Sequence, residues 1–306
     1  MIHDLPDTTT SAVAKALLRL RDEGGAVALG RVLTLLVEVD AAHLEDAVGV
    51  ANAASREHPC RVIVLAEDAR CDHGRVDAQI RVGGDAGASE VVVLRASGEM
   101  LAHADTLVMP LLLPDAPIVV WWPDAMPDVP AEHPLGRMAQ RRITDTVSCT
   151  DPRDALRRLR AGYTAGDTDL AWTRLTVWRG LLAAALDQPP HEPVTHAAVH
   201  GAGRHASVWL LAAWLAESLD CPVDVVTQDD ATAVTRVELH RASGPVVIDR
   251  PDGRTATLLQ PGQPERRVSM PLRQLTECVA EDLRRLDPDE VFGEVLTVGL
   301  ERVVPA

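Results

Sequence analysis

The run with the most chemical promise in this 306-residue chain is Gly201-Ala202-Gly203-Arg204-His205-Ala206. It is a G-x-G-x-x-[GA] pattern between a strand-like stretch, Thr195 to His200, and a helix-like one, Ala206 to Leu219. Such a turn lets the backbone approach a pyrophosphate and aims helix N-terminal amides at the anion. The acidic residue that a dinucleotide site places after the next strand comes late here, at Asp229 or Asp230, and hairpin-like stretches replace the next helix. Two readings therefore stand for Gly201, Gly203 and His205. The favoured one is a tight turn that needs glycine for steric reasons; the other is the phosphate cradle of a nucleotide- or sugar-phosphate-binding enzyme or sensor.

Other constellations are weaker. His191, His196, His200 and His205 crowd into fifteen residues, but only His196 and His200 share a strand face, and no cysteine or H-E-x-x-H helix joins them, so no metal site is expected. There is no G-x-S-x-G, and Ser207 beside His205 has no readable third partner. Asp229-Asp230 and Asp287 with Asp289 read as turn and cap residues. The five cysteines, Cys60, Cys71, Cys149, Cys221 and Cys278, form no C-x-x-C pair and read as small buried hydrophobes, with a Cys60–Cys71 redox pair near Asp68, Asp72 and His73 as the minor alternative. No catalytic centre and no cofactor follow from these residues.

The aromatic inventory points elsewhere. Six tryptophans stand against one tyrosine and one phenylalanine, and they come in pairs: Trp121 with Trp122, Trp172 with Trp178, Trp209 with Trp214. Trp121 and Trp122 end a strand, Ile118 to Trp122, that runs into a loop with four prolines between Pro123 and Pro134. Side chains alternate along a strand, so at least one of the two indoles is expected to face outward. An outward indole near Arg141, Arg142 and Asp145 has the composition of a protein-binding hot spot, and a tryptophan packed under its own loop is the equal alternative. The loop itself reads either as a site at a strand's carboxyl end or as a tether.

Positioning these residues requires an α/β fold. Val32 to Val39 and Cys60 to Leu65 are apolar strands flanking an amphipathic helix, Ala41 to Glu57, which makes a right-handed βαβ unit. A helix from Thr8 to Arg21, ended by Gly24-Gly25, precedes it. Alternation from Val76 to Val82, a turn at Gly83-Gly84-Asp85 and the strand Glu90 to Leu94 add a hairpin, so the N-terminal sheet is expected to be mixed. A helix over Ser97 to Leu107 follows, then a short strand from Arg141 and a helix opened by Asp151-Pro152. Gly166 to Asp187 reads as one buried helix capped by Asp167 and carrying Trp172 and Trp178. Arg174 within its apolar arc then needs a carboxylate, Asp145 or Asp169. Asp167, Asp169, Trp172, Arg174 and Trp178 are accordingly expected to form a network supporting Trp121, Trp122, Arg141, Arg142 and Asp145. The division expected is an N-terminal α/β domain over 1–165 and a C-terminal one over 166–306, opening with the Trp-rich helix 167–187 that bridges the two. The second domain starts with a βαβ unit through Val223 to Thr227. Antiparallel hairpins follow over Ala233 to Leu239, Val246 to Asp249, Thr255 to Leu259 and Arg267 to Met270, and helices over Leu272 to Leu286 and Pro288 to Arg302 close the chain.

Composition narrows the class. Apolar residues make up 46% and charged residues 25%, which is globular. A net charge of -15, with Lys15 as the only lysine, would repel a phosphate backbone, so nucleic acid is not an expected partner. The N-terminus carries no readable leader, and the apolar stretch Thr106 to Trp122 is broken by prolines and an aspartate, so no membrane span is expected and the location expected is the cytoplasm.

Several runs resemble one family. They are His58-Pro59 followed by Arg61 to Leu65, Pro110-Leu111-Leu112 through Trp121-Trp122-Pro123, Pro134-Leu135-Gly136, Arg141 to Asp145, and Gly166 to Arg174 (GDTDLAWTR). Together they are similar to the glucose-6-phosphate dehydrogenase assembly protein family, OpcA, most specifically between about residues 58 and 187. The resemblance implies a non-enzymatic partner that binds glucose-6-phosphate dehydrogenase and promotes its assembly or activation.

Overall fold

The computed structural model describes residues 1–23, 32–68, 74–82 and 90–303. The expected turns at Gly24-Gly25 and Gly83-Gly84-Asp85, and Cys71 with Asp72 and His73, lie outside the described residues. The chain is α/β and divides into two compact units, the first made of Met1–Asp145, Gly166–Thr168 and Leu275–Pro288, the second of Thr146–Ala165, Asp169–Gln274 and Asp289–Ala306.

Strands β1 (Ile2–Leu5), β2 (Leu33–Asp40), β3 (Cys60–Glu67), β4 (Val76–Arg81), β5 (Glu90–Ala96), β6 (Ile118–Trp122), β7 (Arg141–Thr144) and β8 (Asp167–Asp169) form a sheet of order β1-β4-β5-β3-β2-β6-β7-β8. The strands from β5 through β3, β2 and β6 to β7 are parallel, whereas β4 runs antiparallel to β5 and β1 antiparallel to β4. The sheet is thus mixed, as the Val76 to Leu94 hairpin pattern requires. Its central strands are apolar on both faces because both are covered. One face packs Leu36, Ile63, Leu65, Leu94, Val120 and Trp122 against Val13 and Leu17 of the helix Thr10–Glu23 and against Leu107, Leu111 and Leu135. On the other, the helix Leu44–Ala54 packs on β2 and β3, with the helix Leu275–Asp282 against it. Each such leucine or valine removed from water contributes about 1.5–3 kcal/mol before entropy is charged.

In the second unit, β9 (His196–Gly201), β10 (Val223–Thr227), β11 (Val234–His240), β12 (Val246–Asp249), β13 (Thr255–Leu259) and β14 (Arg266–Ser269) are ordered β10-β9-β11-β12-β13-β14. Only β9 and β10 are parallel, joined through the helix Ala206–Leu219; β11 runs antiparallel to β9, and β11 to β14 follow one another as antiparallel hairpins. Ten of that helix's residues, from Ala206 to Ala216, are buried, which explains its apolar character on nearly all sides.

Several boundaries differ from expectation. The strand β1 pairs with β4 and has no sequence pattern of its own, since its burial is mostly exposed. The helix expected over Ser97 to Leu107 is two short turns, Gly98–Leu101 and Ala104–Val108. The helix expected from Asp167 is interrupted: Asp167–Asp169 is strand, followed by the helices Leu170–Thr173 and Thr176–Leu186. Asp167 therefore caps nothing. Asp169 is the cap, its carboxylate accepting the Ala171 N–H at 2.9 Å and the Thr146 N–H at 3.0 Å.

Candidate functional site

The candidate partner-binding residues sit at and beside the end of β6. In register, Trp121 lies opposite Ile143 and Trp122 opposite Thr144. The expectation that one indole faces outward is not met: Trp121 and Trp122 are both buried. The alternation argument holds, but both faces of the sheet are covered, so neither side of the strand is open to solvent. The Trp122 indole N–H donates to Glu38 Oε2 at 2.8 Å and its ring meets His133 edge-on at 5.3 Å between centroids. The Trp121 Nε1 is buried without a hydrogen-bond partner.

Arg141, Arg142 and Asp145 are buried as well. As neighbours on β7, Arg141 and Arg142 point to opposite faces, and each meets a carboxylate. Arg141 donates to Asp282 Oδ1 at 2.6 Å and to the Asp287 carbonyl at 2.9 Å. Arg142 pairs with Asp167 and donates to the Ala139 carbonyl at 2.9 Å. These are bonds that fix the strand ends in place, and desolvated arginines are stable there because the anion is built in.

A pocket of about 260 Å³ opens at the carboxyl ends of β2, β3 and β6, where the sheet order reverses and open α/β sheets place ligands. Its polar lining is Glu38, Asp40, Glu67, Asp124 and His133, with Trp122 beside them. His133 Nδ1 accepts the Leu135 N–H, capping the helix Pro134–Met138, and its Nε2 lies 3.4 Å from Glu38 Oε2. Burial lowers the His133 pKa, with Glu38 opposing. Ligand atoms of Asp40, His43 and Asp124 lie within 4.8 Å of one another, and His43 Nδ1 is 3.1 Å from Asp124. Four carboxylates here disfavour a phosphate and favour hydroxyl or cationic groups. The exposed residues of the loop over this pocket are Ala125, Asp128 and Glu132.

Asp169, Trp172, Arg174 and Trp178 of the expected supporting network lie in the second unit. The Trp172 indole donates to Asp289 Oδ2 at 2.8 Å, and the Arg179 guanidinium lies over the Trp172 ring at 3.7 Å. Arg250 lies over Trp178 at 5.0 Å. Arg174 lines a cavity of about 160 Å³ together with Trp178, His205, Ser207, Arg250 and Arg273.

That cavity adjoins the glycine turn. A Cβ on Gly201 would collide with the Ala233 carbonyl, and one on Gly203 would come within 2.8 Å of Thr227 Cγ2. Close approach of neighbouring strands thus accounts for both glycines without a ligand. The Trp209 indole donates to the Gly203 carbonyl at 2.9 Å and ties the turn to the helix. His205 is the N-cap of the helix, its Nδ1 accepting the Ser207 N–H at 3.3 Å. Burial, then the charges of Arg174 and Arg250, push its pKa down to about 4. The neutral ring with Nδ1 as acceptor carries its proton on Nε2.

His196 Nε2 lies 3.0 Å from Asp224, and His200 Nε2 3.5 Å from Glu238. Cys60, Cys221 and Cys278 are buried and Cys149 is half-buried, and burial pushes the Cys221 thiol up. Arg250 and Arg273 escaped the sequence reading. They lie 45 or more positions beyond the glycine turn, on a hairpin end and a connecting segment, and no local spacing links them to it.

Two family models match consecutive stretches of the chain. Residues 51–161 match the model described as glucose-6-phosphate dehydrogenase subunit N-terminal domain, and residues 165–296 the corresponding C-terminal domain. A Synechocystis protein named OxPP cycle protein OpcA is 26% identical over 210 residues, 62% of this chain and 43% of the relative. Its namesake in Synechococcus elongatus is 30% identical over 153 residues, 46% of this chain and 34% of the relative. The matches thus span less than half the length of these curated relatives. A 3-ketoreductase from Actinomadura kijaniata superposes with a TM-score of 0.49 at 12% identity, over 89% of this chain and 97% of that one, a likeness that decides neither fold nor activity. No helix among the described residues is long and apolar enough to cross a membrane.

Proposed function

The chain belongs to the OpcA family of glucose-6-phosphate dehydrogenase assembly proteins, and from that premise we propose that it is a non-enzymatic cytoplasmic partner of glucose-6-phosphate dehydrogenase that binds the enzyme and favours its active state. The observation that carries the reading is the pair of family domains, N-terminal and C-terminal, following one another along the chain in the family's order. Such a partner supports the oxidative pentose phosphate cycle and NADPH supply by shifting an equilibrium. It does so only to the extent that it binds the active state of the dehydrogenase more tightly than the inactive one.

The contact surface proposed is the proline-rich loop after β6, with Ala125, Asp128 and Glu132 exposed upon it. Trp121, Trp122, Arg141, Arg142 and Asp145 act beneath it as the rigid base, a role that their burial supports. Loops held on a rigid scaffold are the usual carriers of recognition.

The test is a steady-state assay of the same organism's glucose-6-phosphate dehydrogenase titrated with this protein. The expected result is activation that saturates near a fixed molar ratio, with co-elution on a sizing column. An Asp128→Arg/Glu132→Arg double variant that keeps its fold should move the titration to higher concentration. Unchanged activity with no co-elution overturns the reading.

A further inference from the structure

We infer that the cavity beside the Gly201 turn is a site for a phosphate group, free or carried on a small metabolite, held by Arg174, Arg250 and Arg273 with His205 at the helix N-terminus. The inference stands on the second unit alone and goes beyond the reading above.

The strongest observation is Arg250. It is 4% exposed, and its two terminal nitrogens donate to the Met270 carbonyl at 3.3 Å and the Val234 carbonyl at 2.8 Å. Its Nε is buried with no hydrogen-bond partner. Burial lowers its pKa from the ordinary arginine value, and Asp252 only partly offsets this. A guanidinium taken out of water is costly unless an anion meets it. Arg250 meets backbone carbonyls and the Trp178 face instead, and it lines the cavity.

The rest of the lining agrees. Arg174 and Arg273 line the cavity beside Arg250, and Arg273 donates to the Thr173 carbonyl at 2.7 Å. The 14-residue helix Ala206–Leu219 presents its positive end here through His205. Arginine's planar fork suits the oxygens of a phosphate, and Arg250 is the buried cation that no carboxylate of the lining answers. An adjoining cavity of about 130 Å³ shares Arg250 and Thr232 and adds Asp230, Asp252 and Thr235, groups that accept hydroxyl hydrogens from whatever carries the phosphate.

The site differs from a glycine-cradle site. The glycines here are filled by Thr227 and the Ala233 carbonyl, and the charge that would hold the anion comes from arginines distant in sequence.

The experiment is thermal denaturation of the intact chain in inorganic phosphate, in glycerol 3-phosphate, and in chloride or acetate at matched ionic strength. Either phosphate probe is expected to raise Tm saturably, by roughly 2–4 °C at about ten times its Kd, and chloride and acetate are not. Whichever probe saturates at the lower concentration tells free phosphate from a phosphate ester. Arg273→Gln should weaken the response about tenfold or more; Arg174→Gln serves if the first variant fails to fold. The inference is overturned by equal shifts in acetate, by an unchanged response in a folded variant, or by no saturable rise up to about 10 mM, where a site of even millimolar affinity would be nearly full.

Discussion

Arg61, Arg141 and Arg142 in the first unit are each buried against a carboxylate, Glu90, Asp282 and Asp167, whereas Arg250 in the second is buried against backbone carbonyls and an indole face. All four cations are at most 6% exposed, so the desolvation problem is shared. In the first unit the compensating anion is part of the chain, and the arginines act as rivets between strand and helix or strand and strand. In the second the charge is left standing at a cavity wall. Burial alone therefore does not separate a structural arginine from a binding one; the identity of what answers the charge does.

The sharpest way to break the comparison is to remove one rivet. Arg142→Ala removes the ion pair to Asp167, which is 1% exposed, and should cost about 3–5 kcal/mol in urea denaturation. The double variant Arg142→Met/Asp167→Leu, which removes both charges, should recover much of that loss. Arg250→Met should cost less than Arg142→Ala, because no buried carboxylate is stranded, and should abolish the phosphate response. A single Arg142→Ala variant as stable as the parent would mean that the pair is not a rivet.

A second prediction sharpens the other side. The unfolded chain's histidine titrates near pH 6.5, and folded His205 near 4 because burial and the cations Arg174 and Arg250 oppose its protonation. Between those values the unfolded state binds the proton that the folded state refuses. Stability from this group is therefore full above about pH 6.5 and falls as the pH drops toward 4, by up to about 3 kcal/mol. Other groups titrate in the same range, so the measurement is the difference between the parent and His205→Asn, whose side chain can still accept the Ser207 N–H. The variant should lose less stability on acidification, and phosphate should flatten the parent's curve. Parallel curves would show that the cavity does not set this histidine's charge.

Legibility followed locality. The parallel strands Leu33–Asp40 and Cys60–Glu67, the hairpins of the second unit and the Asp151-capped helix Pro152–Ala161 were readable because period, β-branching and caps are properties of neighbours in sequence. Ile2–Leu5 was not, since an edge strand that pairs on β4 with mostly exposed side chains has no apolar pattern to announce it. Asp167 misled for a related reason: both it and Asp169 are cap residues by type, and only the pairing of β8 in the sheet decides between them. Trp121 and Trp122 are legible as a strand end, but whether an indole faces outward or packs under its loop is not, because elements from distant sequence cover both faces of the sheet and bury the two rings. The cavity was half readable. His205 stood inside the motif, while Arg250 and Arg273 reach it only through the hairpin topology.

The smallest effects test whether the glycine turn belongs with the rivets or with the cavity. At Gly203 the obstacle to a side chain is the Thr227 methyl at 2.8 Å, on an exposed residue that can rotate away. Gly203→Ala should therefore cost only about 1 kcal/mol, the low end of overpacking, and Thr227→Ser should recover most of it. At Gly201 the obstacle is the Ala233 carbonyl, backbone of a neighbouring segment that cannot turn aside, so Gly201→Ala should cost about 2–3 kcal/mol with no such rescue. If both glycines serve only close packing, each variant that folds should keep the parent's phosphate response, since the arginines that answer the anion are untouched. A folded Gly203→Ala variant that lost the response would return the turn itself to the site, and the division between packed glycines and exposed charge would have to be redrawn.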